Sequence, residues 1–198
     1  MTRSRGLGDV YKRQVQRMSH LLSRLQRNPH QATNKSVSLK RIALEAIRKS
    51  TDRQPIPTLR TQIDGMVFAD QDQLTMVLLH LVRNAQDATT NDGFIDAEIS
   101  IKKNTISITI EDNGHGMDDD FIKNRLFKPF ESTKSSMGMG IGAYQVREFI
   151  QAMGGSISVS SEVEVGTTVC IELPLASEKP ARIERDSTKA SLNKQSRP

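Results

Sequence analysis

Three polar segments break an otherwise ordinary apolar pattern, and each has residue types and spacing that suit ligand chemistry. His80 and Asn84 are four residues apart, with Asp87 close to one further turn along, so on a helix they share a side. Asn84 stands within an apolar stripe, where an amide either satisfies backbone groups or faces a ligand. Asp112-Asn113-Gly114-His115-Gly116 follows an alternating segment that reads as a strand. A carboxylate at a strand end can accept a hydrogen bond from an exocyclic amine, and Gly114 and Gly116 let a flat ring approach the backbone, which suits an adenine. Asp-Asn-Gly is equally a common turn, and Asp118-Asp119-Asp120 reads equally as a solvated helix start.

The third segment, Gly138-Met139-Gly140-Ile141-Gly142, leads directly into a helical pattern, where free N–H groups and the helix dipole favour a phosphate. It is not a P-loop, because no Gly-Lys-Ser/Thr follows. It also fails as a dinucleotide fingerprint, since Gln145 stands where the third glycine belongs. Lys134, just upstream, is placed to reach a terminal phosphate as a point charge or to remain solvated.

These segments need elements to hold them. Asp70 occupies a helix-cap position, and Leu74, Val77, Leu78, Leu81, Val82 and Ala85 follow on one face, which predicts a long helix ending near residues 89–93. Residues 94–101 and 105–110 alternate as an antiparallel hairpin, and residues 156–160 and 167–173 as a second. A helix over residues 141–153 stops at Gly154-Gly155. Upstream, Val37 and Leu39 start a strand leading into a helix at residues 41–49, and residues 55–63 read as a short strand. Residues 112–139 show little periodicity and are the candidate lid. Residues 15–27 carry Val15, Met18, Leu21, Leu22 and Leu25 at helical spacing, an amphipathic stripe too short to bury itself. Residues 1–14 show no pattern, are read as a non-native or disordered leader and are excluded from the fold. Residues 176–198 read as a solvated basic tail.

Bulk properties limit the function classes. A chain of 198 residues suits one domain with flanking segments, and no apolar run reaches the ~20 residues that span a bilayer. No secretory signal is recognisable, so a cytoplasmic location without membrane contact is expected. The lone Cys170 falls in an apolar run and reads as a small hydrophobe. The net charge of +5 resides at the ends, with +6 over residues 1–30 and +3 over residues 176–198, which leaves −4 between them. Such a body lacks the basic face of a nucleic-acid binder, and with two Tyr, six Phe and no Trp it offers few stacking platforms.

The order of the three segments closely resembles the ATPase domain of sensor histidine kinases over about residues 36–175. His80-Leu81-Val82-Arg83-Asn84-Ala85-Gln86-Asp87-Ala88 resembles its N box, Asp112 to Gly116 its G1 box, Phe127-Lys128-Pro129-Phe130 its F box, and Gly138 to Gly142 its G2 box. The run from Leu126 to Lys134, followed by Gly138 to Tyr144, is most similar to kinases of the PEP-CTERM exopolysaccharide system, of PrsK type. The resemblance implies an α+β fold of Bergerat type, a two-layer sandwich in which three helices back a mixed sheet of about five strands, with a short preceding helix.

It implies ATP and Mg²⁺ as cofactors, with Asn84 binding the ion and His80 near the phosphates. Asp87 joins the cofactor-binding set. Asp112 would receive the adenine amino group, with Gly114 and Gly116 beside the ring. Lys134 and the run Gly138, Met139, Gly140, Ile141, Gly142 would hold the phosphates, and Thr167 would sit beside the base carboxylate, bonded through water. His80, Asn84 and Lys134 are the implied catalytic set, and Phe127 and Phe130 the lid packing or, equally, core residues. The implied reaction is transfer of the γ-phosphoryl group to a histidine and then to a response-regulator receiver domain. The implied partners are ATP, that receiver and the dimerisation and phosphoacceptor domain of the parent kinase.

The chain departs from the family at the acceptor. His20 is followed by Leu-Leu-Ser, His30 follows the breaker Pro29, and His115 lies inside the loop that resembles the G1 box, so none fits an acceptor box. Residues 15–30 therefore read as the remnant of the second helix of a dimerisation hairpin, and the chain as part of a longer, membrane-anchored kinase; this part, lacking the acceptor, is expected not to phosphorylate itself. Two alternatives stay open: another branch of the same ATPase superfamily, such as an anti-sigma serine kinase or a gyrase or chaperone type, and a non-catalytic nucleotide-binding fragment. The helix at residues 15–27 and the short lid disfavour the former.

Overall fold

The computed structural model describes residues 34–129 and 142–176. The expectations for residues 1–33, for Phe130, Lys134, Gly138, Met139, Gly140 and Ile141, and for the tail from residue 177 lie outside the described residues.

Strand β1 (Lys35–Ser38) runs without a break into helix α1 (Leu39–Arg48). The Ser38 hydroxyl accepts from Arg41 N at 3.0 Å and donates to Asp64 Oδ2 at 2.7 Å, while Asp64 Oδ1 accepts from Lys40 N. This double cap starts the helix two residues earlier than its apolar spacing indicated, and Leu39 becomes a fully buried helix residue rather than part of a strand. Strand β2 (Thr58–Arg60) is shorter than the segment 55–63 that read as extended, because it pairs on one side only, parallel to β4 (Ile95–Lys102). Strand β3 (Met66–Ala69) pairs antiparallel with β1, with Val67 and Ala69 buried and Met66 and Phe68 exposed. Four residues with a partner some 30 positions away gave no local signal for it.

Helix α2 (Gln71–Ala88) matches its expectation, including the cap: the Asp70 carboxylate accepts from Gln73 N at 3.0 Å. The hairpin of β4 and β5 (Thr105–Asp112) turns at Lys103, whose φ is 54°. Within the segment that read as irregular, Asp118 caps a short helix, α3 (Asp119–Asn124), by accepting from Phe121 N at 2.8 Å. Asp119 and Asp120 sit in its first turn, where the helix dipole favours negative charge. The solvated-helix-start reading of the Asp triplet therefore describes it. Helix α4 (Gly142–Ala152) and the hairpin of β6 (Ser156–Glu162) and β7 (Gly166–Pro174) complete the described chain.

The strands form a five-stranded mixed sheet in the order β2-β4-β5-β7-β6, and β1 with β3 forms a separate pair. The α+β two-layer fold with about five strands is the one observed, and the small second sheet is an addition to it. Helices α1, α2 and α4 set Leu39, Ile42, Leu74, Leu78, Val146 and Ile150 against Ile99, Ile108 and Ile171 of the sheet in one continuous core. Burying each of these larger side chains contributes roughly 1.5–3 kcal/mol, which makes the sheet a rigid back wall for α2. The buried Gln86 fastens the loop after α1, since its Nε2 donates to the carbonyls of Ser50, Arg53 and Pro55 at 3.1–3.2 Å. Among the described residues no helix is long and apolar enough to cross a membrane.

Candidate functional site

One edge of α2 carries the polar residues. Asn84 Nδ2 lies 3.2 Å from His80 Nε2. Since an amide NH₂ can only donate, the imidazole nitrogen accepts, and the amide oxygen of Asn84 is left facing away from the histidine. The start of α4 closes on the same ring: a Cβ built on Gly142 would fall 2.1 Å from His80 Nε2. Only glycine admits this approach. Asp87 turns elsewhere, with its carboxylate accepting from Arg53 Nη1 at 2.8 Å in the loop after α1.

At its carboxyl end α2 meets the loop that follows β5. His115 N donates to Ala88 O at 3.1 Å, and a Cβ on Gly114 would fall 2.6 Å from that same oxygen. Gly116, with φ +64°, would place a Cβ 1.9 Å from Glu162 O. The space these two glycines leave is thus filled by the protein's own backbone, which fixes the loop against α2 on one side and β6 on the other.

That loop presents Asp112, the last residue of β5 and 7% exposed. Burial pushes its carboxyl above the usual range, while N–H donation from Gly114, at 2.9 Å, and from Thr167 opposes the shift. An acidic group raised by burial and held by two backbone donors is a mark of functional sites. Thr167 is the direct cross-strand partner of Asp112 in the β5–β7 register and is itself buried. A residue the sequence reading passed over completes the group. Ser161 Oγ is 2.9 Å from Thr167 Oγ1, 2.8 Å from Met117 N and 2.7 Å from Gly166 O. It stands in a serine-rich strand, and only the β6–β7 register, which pairs Ser161 with Thr167, distinguishes it from its neighbours.

Phe127 lies half-buried beneath the Arg147 guanidinium of α4, 5.1 Å from the ring centroid, and Tyr144 lies 5.7 Å from the same guanidinium. Such contacts contribute ~0.5–1 kcal/mol each, and the one to Phe127 ties the segment after α3 to α4. Among the described residues no group of three or more His, Cys, Asp or Glu is arranged to hold a metal ion.

The residues brought together form a line: Gly142 against His80, then Asn84, then Ala88 against Gly114, and finally Asp112 with Thr167. From His80 to Ala88 the helix rises about 12 Å at 1.5 Å per residue, so the glycine-started helix and the buried carboxylate stand at opposite ends of an elongated site. Charge recognition fits the first end, and recognition of an N–H-bearing ring fits the second.

Residues 69–177 match the family described as histidine kinase-, DNA gyrase B-, and HSP90-like ATPase. The chain is 28% identical over 176 residues to the sensor histidine kinase ZraS of Escherichia coli, an alignment that takes in 85% of this chain and 37% of ZraS. It therefore spans less than half the length of that curated relative. Among solved structures, the mycobacterial sensor histidine kinase MprB superposes with a TM-score of 0.61 at 20% identity, covering 72% of this chain and 98% of that one. Full-length ShkA, solved in complex with AMPPNP, superposes with a TM-score of 0.65 at 22% identity over 77% of this chain and 33% of that one. At these identities the superpositions establish the fold.

Proposed function

This chain belongs to the histidine kinase-, DNA gyrase B-, and HSP90-like ATPase family, and from that premise we propose that it is the ATP-binding catalytic domain of a sensor histidine kinase. The observation that carries the reading is the polar edge of α2, which joins a glycine-started helix at His80 to a buried carboxylate at Asp112. An adenine amino group donates to Asp112, and Thr167 stands beside it. The phosphates extend along α2 toward the N-terminus of α4, with the Gly138 to Gly142 run and Lys134 as further contacts. His80 and Asn84 stand closest to the reacting end.

The residues present fit Mg²⁺. Asn84 commits its NH₂ to His80, which leaves a hard amide oxygen as ligand, and with no all-protein cage among the described residues the remaining ligands fall to water and phosphate oxygens, as this ion prefers. When bound it supplies charge neutralisation on the transferred group. The protein's own part is positioning: Asp112 orients the base, Asn84 and His80 the phosphate end, and the amides at the start of α4 meet the developing negative charge. Asp87, paired with Arg53, acts by fixing the carboxyl end of α2.

The domain is proposed to span residues 36–175, preceded by the second dimerisation-hairpin helix at residues 15–30. The acceptor histidine is assigned to the first helix of that same hairpin in the parent kinase, and the phosphoryl group passes from it to a receiver domain. Within the family the motif run from Leu126 to Tyr144 supports the PrsK type. The test is isothermal titration of the chain with ATP and Mg²⁺, alongside Asn84→Ala and Asp112→Ala. The wild type binds, Asp112→Ala loses binding with or without the ion, and Asn84→Ala loses mainly the contribution that depends on Mg²⁺. Undiminished binding in both variants overturns the assignment.

A further inference from the structure

Ser161 has one proton and three polar neighbours, and that constraint reaches Thr167. Met117 N–H can only donate, so one Ser161 lone pair accepts it at 2.8 Å. Gly166 O can only accept, so its 2.7 Å contact takes the Ser161 proton. The remaining contact, at 2.9 Å to Thr167 Oγ1, is then a hydrogen bond only if Thr167 is the donor. All three contacts are satisfied together in this one arrangement, in which the Thr167 hydroxyl proton points at Ser161 and its lone pairs point away. Beside it, Asp112 receives N–H bonds from Gly114 and Thr167 and offers oxygens alone.

We propose that Ser161 is a positioning residue for base selection: it turns Thr167 into an acceptor, so that Thr167 and Asp112 together form an acceptor-only surface that favours a 6-amino purine over a 6-oxo purine. This rests on the reading of Asp112 as the base-binding end. A 6-amino group, or a water donating on its behalf, meets only acceptors there. A 6-oxo group meets the same acceptors without a proton to share. The Met117 bond adds a second effect, since it holds the start of the segment leading to α3 against β6.

Removing the Ser161 hydroxyl frees Thr167 to rotate its proton outward and donate to a carbonyl. The experiment is calorimetric titration of the 198-residue chain with ATP and, separately, inosine triphosphate, in wild type, Ser161→Ala and Ser161→Thr, with thermal unfolding of each. Wild type is expected to prefer ATP. Ser161→Ala weakens ATP about tenfold and narrows the ATP to inosine triphosphate ratio, and Ser161→Thr, which keeps the hydroxyl, restores the ratio. A Ser161→Ala variant with lowered Tm and an unchanged ratio shows a merely structural serine and overturns the proposal, as does a variant indistinguishable from wild type. Asp112→Ala separates the two levels: if it binds ATP as the wild type does, the base-end reading fails, whereas its loss of binding beside an unchanged ratio in Ser161→Ala refutes the proposal alone.

Discussion

Asn84 and His80 are bonded to each other across one turn of α2, Nδ2 to Nε2 at 3.2 Å, and Gly142 leaves that imidazole the room it occupies. The amide orientation that exposes the Asn84 oxygen thus depends on a glycine nearly 60 residues away. In Gly142→Ala the new methyl would overlap the His80 ring, which is the movable end of a side chain, so the ring swings and the bond to Asn84 breaks. Binding of ATP with Mg²⁺ is expected to fall about tenfold, the equivalent of ~1.4 kcal/mol. The double variant His80→Ala with Gly142→Ala removes the overlap, so adding Gly142→Ala to His80→Ala costs far less than adding it to wild type. Calorimetric affinities for the four proteins give the coupling, and strict additivity would show that Gly142 and His80 act separately.

Asp112 trades stability for binding. Burial lifts its carboxyl in the folded chain above the usual range that it keeps when unfolded. Between those two values the folded chain holds more protons than the unfolded one, so the Asp112 contribution to stability is present at low pH and is lost as pH rises through the window. At neutral pH the ionised carboxylate is a liability in the nucleotide-free protein. Asp112→Asn therefore unfolds at a temperature equal to or above that of the wild type, while its ATP affinity drops 10- to 100-fold as a base-binding acceptor is lost. The two readouts are thermal unfolding without nucleotide and titration with it. Wild-type affinity itself weakens as the pH is lowered into the same window. A large fall in Tm for Asp112→Asn would mean that the carboxylate is structural.

Gly116 tests the loop that presents this carboxylate. Its φ of +64° disfavours any side chain, and the methyl of alanine would sit 1.9 Å from the Glu162 carbonyl, a backbone atom that cannot swing away. Left-handed strain of about 1–2 kcal/mol and forced separation of the loop from β6 then act together. Gly116→Ala is expected to lower the urea unfolding free energy by roughly 2–4 kcal/mol and to lose ATP binding, because Asp112 and Thr167 move apart. Retention of both properties would show that the loop relaxes more readily than its packing implies.

What was legible in the sequence followed the strength of local signals. Helix α2 could be read almost to its ends, since Asp70 caps it and six apolar residues repeat along one face. Asp112 could be placed at a strand end because β4 and β5 alternate cleanly up to it. Strand β3 could not be found, as its partner β1 lies a helix and a loop away. The role of the glycines was legible only in part. Gly114 and Gly116 were expected to clear space for a ring, whereas the structure fills that space with Ala88 O and Glu162 O. Ser161 is the clearest omission: its importance arises from facing Thr167 across a hairpin, a relationship that no spacing along the chain records.

Gln86 separates stability from the site, because it lies two residues from Asn84 and so points to the far side of α2. Its Nε2 serves the carbonyls of Ser50, Arg53 and Pro55, while its Oε1 is buried with no hydrogen-bond partner among the described residues. Replacing it with Met keeps the volume, removes the unpartnered oxygen and takes the amide from the Arg53 and Pro55 carbonyls, while Ser50 O keeps the Arg53 N–H at 3.2 Å. The removed oxygen offsets part of that loss, so Gln86→Met is expected to cost about 1–3 kcal/mol in urea unfolding. Gln86→Glu is worse, since a carboxylate would face three carbonyl oxygens and would either lose them all or take up a proton to keep one. The expected order of stability is wild type, then Gln86→Met, then Gln86→Glu, with ATP affinity of the folded protein changed less than threefold in the Met variant. A Gln86→Met protein as stable as wild type would mean that water replaces the lost amide in the loop, and a steep loss of ATP affinity in it would mean that the two faces of α2 are coupled.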